Sequence, residues 1–185
     1  MKNKTLPVLY GVLWSYTIVY AIFFGFASPL LPSLMNQTAD RFALGFFNIM
    51  GIFPLLFLVD GLEHYSLKTW KSMFLFLGFL TGAYGITVFF LLSKPLKQRT
   101  FKPFFDGLVG FSLALLLAAV VLLFQGNPGL FFIQWTQDAM VGIMSIDFLA
   151  LYVLSLYQLY HVHHVKKWGY AIPLFGFAFY LIKRR

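Results

Sequence analysis

The chain has 185 residues, 60% of them hydrophobic and only 11% charged, with a mean hydropathy of +0.79. Soluble domains average about 45–50% apolar and about 25% charged residues, and a fold of this length has no core large enough for the excess. That excludes an ordinary cytosolic enzyme, a disordered tail and a nucleic-acid-binding domain; the bilayer is the expected solvent.

Lys and Arg number 14 against 6 Asp and Glu, a formal charge of +8. The basic residues fall between long apolar runs, where the positive-inside rule and anionic headgroups account for them without nucleic acid. There is no cysteine. Disulfides, thiolate catalysis and Cys-ligated metal are therefore excluded.

A spanning helix needs about 20 mostly apolar residues. In chain order such runs are Val8 to Ala27, Phe42 to Val59, Ser72 to Leu92, Phe104 to Phe124 and Ala139 to Tyr160. A sixth stretch, Tyr170 to Ile182, is 13 residues long. At about 1.5 Å per residue it reaches about 20 Å, short of a hydrocarbon core near 30 Å. A short span, a re-entrant segment and an interfacial helix all stay open for it. Lys2, Lys4 and the small residues near Ala27 imitate a signal peptide. The apolar run is longer than a signal core, so an uncleaved first span is expected. Breaks follow Pro29 and Pro32, Asp60-Gly61, Pro95 and Pro103, and Gly126-Asn127-Pro128-Gly129. The connections are too short for an extramembrane domain. The expected fold is an all-α polytopic transmembrane helical bundle forming one integral membrane domain over residues 1–185. It would have five full spans and a short C-terminal hydrophobic segment.

Five spans put alternate connections on opposite sides. Arg41, Lys94, Lys97, Arg99, Lys102, Lys166 and Lys167 fall on one side; Lys2, Lys4, Lys68 and Lys71 fall on the other with Asp60, Glu63 and Asp138. If the last stretch stays put, Lys183, Arg184 and Arg185 make the balance 10 to 4; if it crosses, the balance is 7 to 7. The Lys94–Lys102 connection is the densest basic signal. It is expected to face the cytoplasm, with Lys94, Lys97, Arg99 and Lys102 against anionic headgroups. A bacterial plasma membrane is the expected location.

Asp147 lies about eight residues into the fifth run, roughly 12 Å deep. An acid at that depth is costly unless paired, protonated or hydrated, so it marks a site by default. It is expected to face the bundle interior and to be neutral there. A packing hydrogen bond to a neighbouring helix is the plainer reading. Ser155 and Gln158 share its helical face. Depth places Thr81 and Tyr84 of the third run near its level, Ser15 and Tyr16 at a similar one, and Ser112 and Asn48 as further possibilities entering from the other side. Together Asp147, Asn48, Thr81, Tyr84, Ser155 and Gln158 form a candidate intramembrane polar site.

His161, His163 and His164 end the fifth run, and His161 and His164 share an α-helical face, a weak metal signal. Five spans would put His64 on the opposite side of the membrane, out of reach. Gly and Pro interrupt Phe46–Pro54 and Ala171–Gly176. Broken helices line transporter sites, but kinked packed helices are the commoner outcome. Trp70, Trp135 and Trp168 fall at run ends, as interface anchors do. No phosphate-binding loop, nucleophile elbow or catalytic carboxylate pair is present.

Three segments carry a resemblance: Ala43–Leu55 with F-N-x-M-G-x-x-P at Phe47–Pro54, Ile146–Leu151 with Asp147-Phe148, and Pro173–Leu181 with P-x-x-G-x-x-x-Y-L. Together they resemble a family of small uncharacterised polytopic membrane proteins of cyanobacteria, plastids and some other bacteria. In order and spacing the likeness covers most of the chain after residue 40. This chain has Phe177 where the family ending tends to carry proline, and its His-rich Tyr160–Lys167 tract also departs from the pattern. The resemblance implies a polytopic fold and a plasma or thylakoid membrane. It gives Asn48 and Asp147 weight as shared features and assigns no activity or cofactor. Two functions are expected to compete: a non-enzymatic accessory, assembly or interaction component, and a small proton- or cation-linked transporter or channel using Asp147. A membrane enzyme acting on lipid or quinone is the weaker third.

Overall fold

The computed structural model describes residues 4–25, 28, 30–65, 69–96, 103–165, 168–172 and 175–183. Lys2, Phe26-Ala27, Pro29, Lys68, Lys97, Arg99, Lys102, Lys166-Lys167, Pro173-Leu174 and Arg184-Arg185 lie outside the described residues. The described chain is helical: α1 Thr5–Phe24, α2 Leu30–Met35, α3 Arg41–His64, α4 Thr69–Thr81, α5 Ala83–Leu92, α6 Pro103–Gln125, α7 Pro128–Trp135, α8 Ala139–Tyr157 and α9 Phe175–Lys183. A π-turn, Gln158–Val162, prolongs α8, and a 3₁₀ turn, Trp168–Ala171, precedes α9.

Four of these are long and apolar enough to cross a bilayer: α1, α3, α6, and α8 with its π extension. They match the first, second, fourth and fifth apolar runs. Capping residues set their starts. Asp40 accepts from the Phe42 amide, and also from Asn127 N across the bundle, 3.0 Å. Asp138 accepts from the amides of Met140 and Val141, and ties in Ser28 Oγ and Leu30 N. These carboxylates satisfy amides that a helix start leaves unpaired. The expected stop at Asp60-Gly61 does not occur. Helix α3 runs through both residues, and through Pro54, to His64. Gly61 packs against Leu75 and Phe89, which a Cβ there would crowd.

The third run, Ser72 to Leu92, is not one helix. At Gly82 the backbone takes φ +57, ψ −129, and the chain turns back. Helices α4 and α5 then pack antiparallel. Gly78 and Gly85 allow the contact: a Cβ on Gly85 would stand 2.8 Å from Phe74 O, and one on Gly78 would press on Ile86. Lys71 Nζ at the start of α4 donates to Leu92 O at the end of α5. Leu96 N then donates to His64 O, 2.7 Å, so the hairpin leaves the end of α3 and returns to it. Uniform apolarity hid the turn: a run of about 20 apolar residues reads alike as one crossing or two half-helices.

The hairpin changes the parity of everything after it. Helices α3 and α6 run antiparallel: Arg41 donates to Gln125, 2.6 Å, and Gly45 faces Ala119 and Leu123. Helices α1 and α8 also run antiparallel, since Tyr20 donates to Trp135 O and presses on Gly142, while Trp14 and Thr17 meet Tyr84 near Asp147. Phe46 and Phe53 of α3 meet Phe148 of α8, and Asp60 meets His163, so α3 and α8 are parallel and His64 and His163 lie at the same end. The placement of His64 across the membrane is thereby corrected. Helix α9, nine residues or about 14 Å, is too short to cross. It climbs from Phe177 against Phe57 to Tyr180 against His163, which brings Lys183 to that same histidine end.

Apolar side chains fill the core between these helices, with Phe53, Phe57, Phe89 and Phe177 wholly buried. Helix contact inside a bilayer relies on close packing, which small residues permit. Gly45 shows this between α3 and α6: a Cβ there would lie 2.7 Å from Ala119 O and 2.9 Å from Leu123 N, both backbone atoms. Gly45→Ala is therefore expected to lose about 1–3 kcal/mol by forcing α3 from α6. Thermal unfolding in mild detergent measures this; an unchanged midpoint would contradict the packing.

Candidate functional site

The hairpin tip rests on Asp147. Ala83 N, the first amide of α5, donates to Asp147 Oδ1 at 2.6 Å. Asp147 is buried on α8, as expected from its depth. A carboxyl from another helix thus takes the place of a local N-cap, where an acid also meets the positive end of the α5 dipole. Thr81 finishes the cap: its Oγ1 accepts from Gly85 N, 3.1 Å, and donates to Leu77 O. Tyr84 turns toward α1 and shares a hydrogen bond with Thr17.

Beside the tip is a cavity of about 790 Å3 lined from α1, α3, α4, α5, α6 and α8. Asn48, Thr81, Tyr84 and Asp147 all line it, so four of the six expected polar residues meet in one place. Thr17 joins them, where depth alone had offered Ser15 and Tyr16. The rest of the wall is mostly apolar, including Phe47, Ile52, Leu55, Leu122, Ile143 and Met144. Phe79 and Leu80 line it while remaining exposed, so the cavity opens at the flank of the bundle.

Ser155 and Gln158 do not belong to this site. Ser155 donates back to Tyr152 O within α8, and Gln158 Oε1 accepts from Tyr65 at 2.8 Å. Burial pushes the Tyr65 phenol well above its ordinary range, with Asp60 adding to the rise, so Tyr65 stays a donor. Ser112 likewise donates within its own helix, to Leu108 O. A shared helical face is not a shared site when two residues lie about 12–16 Å apart along the axis.

A second polar centre lies at the histidine end. Asp60, His64 and His163 are all buried. His163 Nε2 is 2.9 Å from Asp60 Oδ1, and His64 Nδ1 is 3.3 Å from the same oxygen. The two rings meet edge to face at 4.8 Å, and the ring of Tyr180 lies 4.9 Å from His163. One ligating atom from each of the three residues falls within 4.8 Å of the others.

The histidine pair expected to share a face, His161 and His164, is not the one that converges. His161 is exposed against the Tyr157 ring, and His164 is exposed with φ +54. The π-turn is the reason. His163 N donates to Gln158 O, five residues back, so the wider turn carries His163 onto the buried face. Sequence spacing assumed a regular helix and missed it. The Asp60–His64 spacing of four residues is visible in the sequence, but an expected helix stop at Asp60-Gly61 puts the pair in a connection. The chain matches no protein-family model, no curated protein and no solved structure.

Proposed function

We propose that the protein crosses the membrane with four helices, α1, α3, α6 and α8, and inserts α4–α5 as a re-entrant hairpin from the histidine end. Charge supports this. Lys4, Lys71, Lys94 and Lys183 belong to elements that begin or finish at that end, and Arg41 stands at the other. By chain order every remaining Lys and Arg falls in a connection or terminus between elements that start or stop at the histidine end. The 10-to-4 balance of five crossings becomes an almost complete bias, which the positive-inside rule assigns to the cytoplasm. The sequence has no cysteine, so single-cysteine labelling is clean. Gln98→Cys is expected to resist an impermeant thiol reagent outside intact cells, and Thr38→Cys to react. The reverse pattern would overturn the orientation.

The function proposed is non-enzymatic: an integral membrane component that takes an apolar-bodied molecule from the lipid phase. Its hydrogen-bonding or cationic head would meet Asp147 and Asn48. One observation carries this reading. The cavity is mostly apolar, opens at the bundle's flank, and has a few polar groups in its wall, one of them a buried acid. Ligand sites have that composition. Proton- or cation-linked movement of the molecule is the second reading, favoured by the position of Asp147 at a half-helix N-terminus, as in broken-helix transporters. The resemblance to small cyanobacterial and plastid membrane proteins fits either reading.

Gly51 provides the test, because it lines the cavity and a Cβ there would meet nothing within 4 Å. Gly51→Phe should fill the cavity and leave folding intact. Native mass spectrometry of the wild type in mild detergent should show a bound small molecule that Gly51→Phe loses. Equal occupancy in both, or none in the wild type, would defeat the proposal. Asp147→Asn abolishing a flux in reconstituted vesicles would support the carrier reading.

A further inference from the structure

We propose that Asp60, His64 and His163 form a binding site for a divalent first-row transition-metal ion. This is separate from the cavity at the hairpin tip. Asp60 and His64 sit four residues apart on the last turns of α3, so both side chains leave the same face. His163 comes from the opposite partner, α8, where the π-turn rotates it inward. Such turns cost regular hydrogen bonding and gather at functional sites. Here the turn has one evident product, the approach of His163 to Asp60.

The donor chemistry fits. Imidazole nitrogens with one carboxylate suit zinc, iron, cobalt and related ions, and two His with one Asp leave positions open for water or a further ligand. Two ring nitrogens from different helices converge on one carboxylate oxygen, at 2.9 and 3.3 Å. An ion held at about 2.0–2.2 Å from each donor needs donors about 3–4 Å apart. The present spread, within 4.8 Å, asks only for a small contraction. The aromatic ring of Tyr180 on α9 closes over His163, which shields the site and fixes the ring's orientation.

The competing account is a metal-free hydrogen-bonded clasp between α3 and α8. Untagged full-length protein in mild detergent, stripped with a chelator and shown monodisperse, separates the two. Titration with Co2+ should show about one equivalent bound, with visible d–d absorption that Zn2+ displaces. Cu2+ added to the wild type should give an electron paramagnetic resonance pattern from two imidazole nitrogens. His64→Ala and His163→Ala should each weaken Co2+ binding by roughly tenfold or more, while His161→Ala and His164→Ala leave it unchanged. The wild-type measurements stand even if a histidine variant fails to fold. Folded wild type that takes up no Co2+, a copper signal without nitrogen coupling, or binding that survives in a folded His64→Ala, His163→Ala double variant would overturn the site in favour of the clasp.

Discussion

Gly82→Ala is expected to cost about 4 kcal/mol, summed from backbone strain and overpacking. The first part comes from the dihedrals, φ +57 and ψ −129, a region that residues with a Cβ enter only under strain. The second comes from Asp147: a methyl on Gly82 would stand 2.6 Å from Oδ1 and inside contact distance of the whole carboxyl group. Neither part relaxes cheaply, because moving Asp147 breaks its bond to Ala83 N. Two other glycines serve as controls. Gly78→Ala presses on the Ile86 side chain but on no backbone atom and at an ordinary φ, and Gly51→Ala meets open space. The expected order of thermal midpoints in detergent is Gly51→Ala at or above wild type, then Gly78→Ala, then Gly82→Ala far below. Gly82→Ala with a wild-type midpoint would mean that the third run is a straight helix after all.

That turn also marks where sequence reasoning reached its limit. The membrane class, the helical fold and the four long runs followed from composition and length, because a bilayer demands both. Asp147, Asn48, Thr81 and Tyr84 were found by depth, which depends only on rise per residue. What failed was whatever depended on a break in regular geometry. Thr81-Gly82 is a helix-start signal inside an apolar run, and Gly78, Gly82 and Gly85 cluster around it. Glycine is common in membrane helices, so the cluster carried little weight against unbroken apolarity. One unseen turn then displaced the position of His64, which depends on the direction of the helices that follow. The π-turn left no sequence signal at all: Gln158-Leu159-Tyr160-His161-Val162 reads as ordinary helix. Ser155 and Gln158 show the opposite error, a correct helical face extended too far along the axis.

Asp147 is expected to separate structure from function by the choice of replacement. Its structural task is to accept one hydrogen bond from Ala83 N and so cap the start of α5. Asparagine keeps a carbonyl oxygen in nearly the same position, so Asp147→Asn should hold the hairpin within about 1 kcal/mol. Leucine has similar bulk and no acceptor. Asp147→Leu should leave a buried amide unpaired at the start of α5 and lose the cap, about 2–4 kcal/mol together. Lysine is worse: it sets a positive charge against the positive end of the α5 dipole, and no described Asp or Glu besides Asp147 lines the cavity wall. Asp147→Lys should fail to accumulate in the membrane. The order Asn, then Leu, then Lys is readable from expression and thermal unfolding in detergent. A leucine variant as stable as the asparagine one would show that the bond to Ala83 does not hold the hairpin. If asparagine keeps the fold but loses the bound molecule or its flux, then the charge or proton of Asp147, rather than its shape, is what the cavity uses.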